Sequence, residues 1–251
     1  MEVRLPTAMR LIPREWTITG VLTTNLAVAL SLGLPAEPWR VALAAVAFFV
    51  HLTTFSPLFE TASRRAVHWP LVALNGAVYI PILWSVELPI LTYLFALSAV
   101  VLLVASHGRL RTAYGYVAGL ALYASLVIPM RYLLGRPDAA ELYGLALYVA
   151  YFVAYALYVE SRLAFRNVDC AVPLLFWAPA AGFLVGTNPL LAVPAAEPTA
   201  SLLQNYRRCQ KVGDLESIKK MGKSILLRSL LFTALLIAAV RLGSTRPFAM
   251  S

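Results

Sequence analysis

The sequence predicts an all-α, polytopic integral membrane bundle of about nine membrane segments, and three observations carry that reading. Of its 251 residues, 60% are apolar and 13% charged, against roughly 45–50% and about 25% in soluble domains. The mean hydropathy is +0.74. The apolar residues gather into runs that reach the ~20 residues a helical bilayer span needs. The longest polar stretch is Gln204 to Lys223, so residues 1–251 read as a single transmembrane domain with a basic loop at 204–223.

The opening stretch "MEVRLPTAMRLIPREW" is polar, contains prolines and leads into a full-length span; it lacks the short apolar core and small-residue cleavage site of a signal peptide. Spans follow at Trp16–Leu34, which Pro35 and Pro38 terminate, and at Arg40–Leu58. The third, Val67–Val86, starts beside Pro70, and the fourth, Leu88–Ser106, beside Pro89. The fifth, Thr112–Leu133, ends before Pro137, and the sixth is Ala139–Leu163. Cys170–Gly186 and Ser224–Leu242 complete eight clear runs. Proline near an end punctuates a helix. Pro81, Pro129 and Pro179 fall inside and predict kinks, tolerated where neighbours re-satisfy the backbone.

The stretch "TNPLLAVPAAEPTASLLQNYRR" carries three prolines and Glu197 and is a poor span by composition. Charge decides its role. With eight spans and a cytoplasmic N-terminus, Lys and Arg divide 11 inside to 9 outside. If Asn188–Asn205 also crosses, or dips in and returns the chain, the division becomes 15 to 5, with Arg228 counted on neither side. The positive-inside rule favours the second arrangement. The expectation is therefore nine membrane segments, the eighth irregular, with the N-terminus cytoplasmic in a multi-pass cell-membrane protein.

The formal charge of +9 sits in short gaps between apolar runs. It reads as orientation signal and contact with anionic lipid, with no nucleic acid as partner. Cys170 and Cys209 lack CxxC spacing and a nearby His, so they read as two free thiols, with no metal site and no disulfide. No cofactor is expected. Retinal would need a buried lysine, and all four lysines lie in 211–223; His51, His68 and His107 are scattered over three segments, unlike the axial pair of a haem carrier.

Candidate chemistry falls into three groups. At the ends assigned to the cytoplasm stand Glu60, Arg64, Arg65 and His68, then His107, Arg109 and Arg111, then Glu160, Arg162, Arg166, Asn167 and Asp169. A guanidinium fork matches two phosphate oxygens, though each arginine alone reads as a topology anchor. Within the spans, His51, Asn75 and Tyr79 are the second group, the last two sharing a helical face at i, i+4. An ionisable group at membrane depth is a candidate functional residue, while Asn and Thr also serve as interhelical glue. Arg228, near a span end, reads as snorkelling.

The third group is "YVAYFVAYALYVESR", which sets Tyr148, Tyr151, Tyr155 and Tyr158 on one helical face, continued by Arg162. Tyr151 and Tyr155 fall near mid-membrane, where an unpaired hydroxyl is costly, so the face must look into the bundle. It is either a packed seam or a cavity wall opening at Arg162, with packing preferred. Their expected hydrogen-bond partners are Asn75, Tyr79 and His51.

Two family resemblances bear on these residues. "LIPREWTITGVLTTNLAVALSLG" resembles the opening of the YwiC-like membrane-protein family at Pro13, Glu15 and Trp16, without that family's His-Gly-Ala triplet. "IKKMGKSILLRSLLFTALLIAA" resembles its closing helix through Lys219, Lys220 and Gly222, and "YVESRLAFRN" its basic sixth loop. The family supplies no activity to carry over. The nine-helix layout also looks like that of UbiA-type prenyltransferases, which hold Mg²⁺ and an isoprenyl diphosphate through two aspartate-rich loops. Here those loops offer only Glu60, Glu160 and Asp169, too few for a hard cation. The expected function is binding of a lipid or isoprenoid-like ligand between helices. The alternatives are a degenerate or metal-independent transferase acting on a lipid phosphate, and a small-solute transporter.

Overall fold

The computed structural model describes residues 16–63, 67–109 and 112–244. Ten α-helices follow one another there: α1 Trp16–Gly33, α2 Pro38–Ser63, α3 Trp69–Ala77, α4 Leu88–Ser106, α5 Ala113–Ser125, α6 Val127–Leu134, α7 Ala139–Arg162, α8 Val172–Thr187, α9 Ala192–Arg208 and α10 Leu215–Ser244. Among the described residues five stretches are long and apolar enough to cross a membrane: Pro38–Phe55, Leu88–Ser106, Ala113–Leu134, Ala139–Arg162 and Leu215–Ser244. Thr19–Gly33 and Val172–Thr187 are shorter apolar helices.

Most prolines act as their chemistry requires, while Pro57, Pro179 and Pro198 lie inside helices. Pro129 cannot donate to the carbonyl of Ser125, and the fifth run breaks there into α5 and α6. Pro81 sits in a 3-10 turn, Ile80–Ile82, that follows the early end of α3. Pro179 lies inside α8 without ending it. The segment expected to be irregular is mostly regular: a 3-10 turn, Pro189–Leu191, leads into α9. Pro194 falls in the first turn of that helix, where its missing N–H would have had no intrahelical partner. In α9 only Pro198 is truly interior.

Contacts sort the helix ends into two sets. At one end Arg241 Nε donates to Ser31 O at 2.9 Å, Arg136 pairs with Glu87 at 2.7 Å, and Gly33 abuts Leu134. The Tyr132 hydroxyl and the Arg136 guanidinium hold the Glu87 carboxyl below its usual range. That contribution is therefore present above the ordinary carboxylate pKa and lost as pH falls through the lowered value. At the opposite end Val212 N donates to Arg162 O at 2.7 Å, and Cys170 is bonded to Cys209 across a Cα–Cα distance of 5.6 Å. The expectation of two free thiols is thus overturned. The α8–α9 hairpin brings the cysteines together across 39 residues, a proximity that sequence spacing cannot display.

The packed core surrounds α7, whose Leu145, Leu147, Tyr148, Tyr151 and Ala154 are fully buried; α5, α6, α8, α9 and α10 pack on it, and Tyr148 reaches Thr24 and Asn25 of α1. The other side is looser. No residue of α3 is buried, and in α4 only Ala105 is. This asymmetry leaves room between α2, α3, α4 and α5.

Candidate functional site

That room is a cavity of about 450 Å³. Its longest wall is one face of α4, where Leu91, Leu94, Phe95, Ser98, Val101 and Ala105 recur at helical spacing. From Leu91 to Ala105 the helix rises about 21 Å, some two-thirds of a hydrocarbon core. Among the described residues no Arg, Lys, Asp or Glu lines it.

Its polar part is built by α2 and the α3 segment. His51 stands near the middle of α2 and is 1% exposed. Its Nδ1 lies 2.5 Å from Asn75 Oδ1 and its Nε2 lies 2.6 Å from the Tyr79 hydroxyl. The amide of Asn75 is oriented by Leu71 O, which can only accept, at 2.7 Å from Nδ2. The same nitrogen donates to Thr54 Oγ1 at 2.7 Å, and Thr54 donates to Val50 O. With Asn75 Oδ1 facing His51, the imidazole proton sits on Nδ1, and Nε2 accepts from Tyr79. In that tautomer each donor of the network has an acceptor, the arrangement a low-dielectric site requires. His51 stacks on Phe55 with centroids 4.8 Å apart, and Phe55 in turn meets Tyr123 at 4.6 Å.

The candidate residues thus fall into separate places. His51, Asn75 and Tyr79 come together on the cavity wall. Tyr151 and Tyr155 do not join them. Tyr151 reaches Ser229 at 3.2 Å and stacks on Phe232 at 3.9 Å and 7°. Tyr155 donates to Glu197 at 3.3 Å. Tyr148 donates to Asn25 Oδ1 at 2.7 Å and lies 2.8 Å from Thr24 Oγ1. The tyrosine face meets α1, α9 and α10, so the partners expected from depth alone were the wrong ones. Arg228 pairs with Glu197 at 3.3 Å and donates to Ser201.

Arg162 enters a different, basic recess at the end of α7. Arg166 Nε stands 2.9 Å from Glu160 Oε2, an ion pair by distance that is not aligned as a hydrogen bond. Arg64 and Arg65 lie outside the described residues, as does the side chain of Glu60. Among the described residues no three His, Cys, Asp or Glu gather to hold a metal.

Sequence reasoning missed the α4 wall, because a helix apolar all round gives no sign of which face is unfilled. It also missed Tyr123, Phe55 and Ser98, which lie at ordinary core spacing. Compared with known proteins, the chain matches no family model, no curated protein and no solved structure.

Proposed function

We propose that this protein is a multi-pass membrane protein that binds an apolar, isoprenoid-like lipid in the cavity between α2, α3, α4 and α5. The observation that carries the reading is the cavity itself, a long apolar slot whose polar cluster, among the described residues, is His51, Asn75 and Tyr79 at mid-depth. Its shape suits a chain, and an ionised headgroup would meet a large desolvation cost beside His51 with no opposite charge among the described lining residues to offset it. The ligand is therefore a lipid whose polar group is a hydroxyl or a carbonyl. The Tyr79 hydroxyl oxygen, whose proton goes to His51, stands where it can still accept a hydrogen bond from that group, while both ring nitrogens of His51 are already engaged. A transferase acting on a lipid phosphate would want cations in the slot, and the described lining residues include none. The proposed nine-segment layout resembles that of UbiA-type prenyltransferases, and a lipid between helices agrees with that analogy at the level of fold.

Native mass spectrometry of gently extracted protein tests this. The expected spectrum shows about one retained neutral lipid per chain, identified after release. Retention of nothing, or only of bulk phospholipid in membrane proportion, refutes the reading.

The proposed placement has nine crossings with a cytoplasmic N-terminus. It is supported by the 15-to-5 division of Lys and Arg and by the sorting of helix ends. The Cys170–Cys209 bridge lies at the end this assigns to the cytosol, whereas disulfides persist mainly in oxidising compartments. A cysteine introduced at Lys219 decides between charge and bridge, since both native cysteines are already bonded. Resistance to an impermeant thiol reagent added outside sealed cells is the expected result, and rapid external labelling inverts the topology.

A further inference from the structure

A second recess, of about 260 Å³, opens where α7 ends and α10 begins. It is separate from the lipid cavity, with no lining residue in common. Two helical faces build it. From α7 come Tyr158 and, one turn on, Arg162; from α10 come Ser217, Lys220, Ser224 and Arg228, spaced at 3, 4 and 4 residues along one stripe. Its floor is Val212, whose backbone is tied to Arg162 O and Ala164 N. The Cys170–Cys209 bond and the Lys211 ammonium, which donates to Val168 O at 2.9 Å, pin the same loop against the α7–α8 connection.

The charges in this recess do not balance. Arg162, Lys220 and Arg228 line it, and the Arg228 guanidinium is answered by Glu197. Neither Arg162 nor Lys220 has a carboxylate within ion-pair distance among the described residues, and Arg162 Nε is enclosed without a hydrogen-bond partner. The Arg162 guanidinium leans only over the Tyr158 ring, 6.0 Å away. Like charges drawn into a partly desolvated hollow repel one another unless an anion joins them. Hydroxyls of Ser217, Ser224 and Tyr158 add neutral donors around the same space. A planar fork, a point-charge ammonium and several hydroxyls form the donor set that recognises a tetrahedral oxyanion.

We infer that this recess is a binding site for a phosphate monoester group, held by Arg162 and Lys220 with Arg228 and the serine hydroxyls around it. The same chemistry is offered by a phosphomonoester lipid headgroup and by a soluble phosphate, and the test separates them. The protein is placed in nanodiscs of phosphatidylcholine with and without phosphatidic acid, and retained lipid is counted by native mass spectrometry, with inorganic phosphate added as competitor.

The expected result is retention of about one phosphatidic acid per chain, reduced at least tenfold in Lys220→Gln and in Arg162→Gln. Retention that survives millimolar inorganic phosphate makes the ligand a lipid headgroup. Displacement by it, with saturable phosphate binding in neutral detergent, makes the ligand a soluble phosphate. Lys219→Gln with Lys223→Gln removes two charges from the same helix outside the recess and is expected to leave binding unchanged. Should this control weaken binding as much as Lys220→Gln, surface charge alone is at work and the site is refuted. It is refuted equally if wild type retains neither ligand, or if Lys220→Gln, at an exposed position that folding tolerates, has no effect.

Discussion

Replacing Glu141 by Leu is expected to destabilise the protein by about 3–5 kcal/mol, the usual cost of removing one partner from a buried ion pair. Glu141 and Arg131 are each 7% exposed and lie 2.6 Å apart, at the junction of α6 and α7. Arg131 also donates to Gly135 O at 2.9 Å, while its Nε has no partner even in the intact protein. Removing the carboxylate leaves a guanidinium enclosed by apolar neighbours. Glu141 does a second job, because its side chain accepts from Asp138 N while Asp138 accepts from Glu141 N, the reciprocal cap that starts α7. That cap accounts for about 1 kcal/mol of the loss. The double variant Arg131→Leu/Glu141→Leu is expected to recover most of the remainder, since a buried pair is often replaceable by apolar groups of similar volume. Thermal unfolding in detergent reads both. A loss under about 1 kcal/mol in the single variant would mean that water reaches the pair.

The second large effect is expected at Gly144, where α7 meets α10. A Cβ built there runs into Val240 Cγ2. Val240 is fully buried, and a β-branched side chain in a helix has one strongly preferred rotamer, so it cannot swing away. Gly→Ala in a helix interior gains up to about 1 kcal/mol in propensity, while overpacking costs about 1–3 kcal/mol. The packing term wins, and Gly144→Ala is expected to lower stability. Val240→Ala in the same chain removes the clash and is expected to return part of it. Gly20 provides the contrast, because nothing lies within 4 Å of a Cβ there; Gly20→Ala is expected to be neutral or stabilising. If Gly144→Ala behaves as Gly20→Ala does, the α7–α10 seam is looser than described.

How much of this was legible in the sequence depends on the range of the interaction. Local chemistry was readable. Apolar run lengths and terminal prolines located the long helices, and Pro129 marked the break between α5 and α6, because a missing N–H acts on its own turn. The poor composition of Asn188–Asn205 suggested irregular backbone, yet α9 forms. Pro194 sits where a helix tolerates proline, and Glu197 finds Arg228 on α10. Partners across the bundle were not readable. Asn75 and Tyr79 declared a shared face, and His51 a depth, but nothing in the chain states which helix faces which. For that reason Tyr151 and Tyr155 were matched to the wrong partners, and the Cys170–Cys209 bridge was missed. The stripe from Ser217 to Arg228 was legible by spacing, but its basic members passed for topology anchors. The cavity wall on α4 could not have been found, since emptiness on one side of a uniformly apolar helix leaves no mark in its residues.

Lipid retention by a cavity-filling variant tests the central claim, that the slot beside His51 is an occupied site. Gly119 on α5 lines the slot, and a Cβ there meets nothing within 4 Å. Leu at this position therefore takes up cavity space without pressing on the packed core around α7. Native mass spectrometry of Gly119→Leu against wild type is expected to show the retained neutral lipid reduced at least tenfold, with the thermal midpoint unchanged or raised. Retention of the same lipid at the same stoichiometry in Gly119→Leu would contradict the account, placing that lipid on the outer surface and leaving the slot a packing gap.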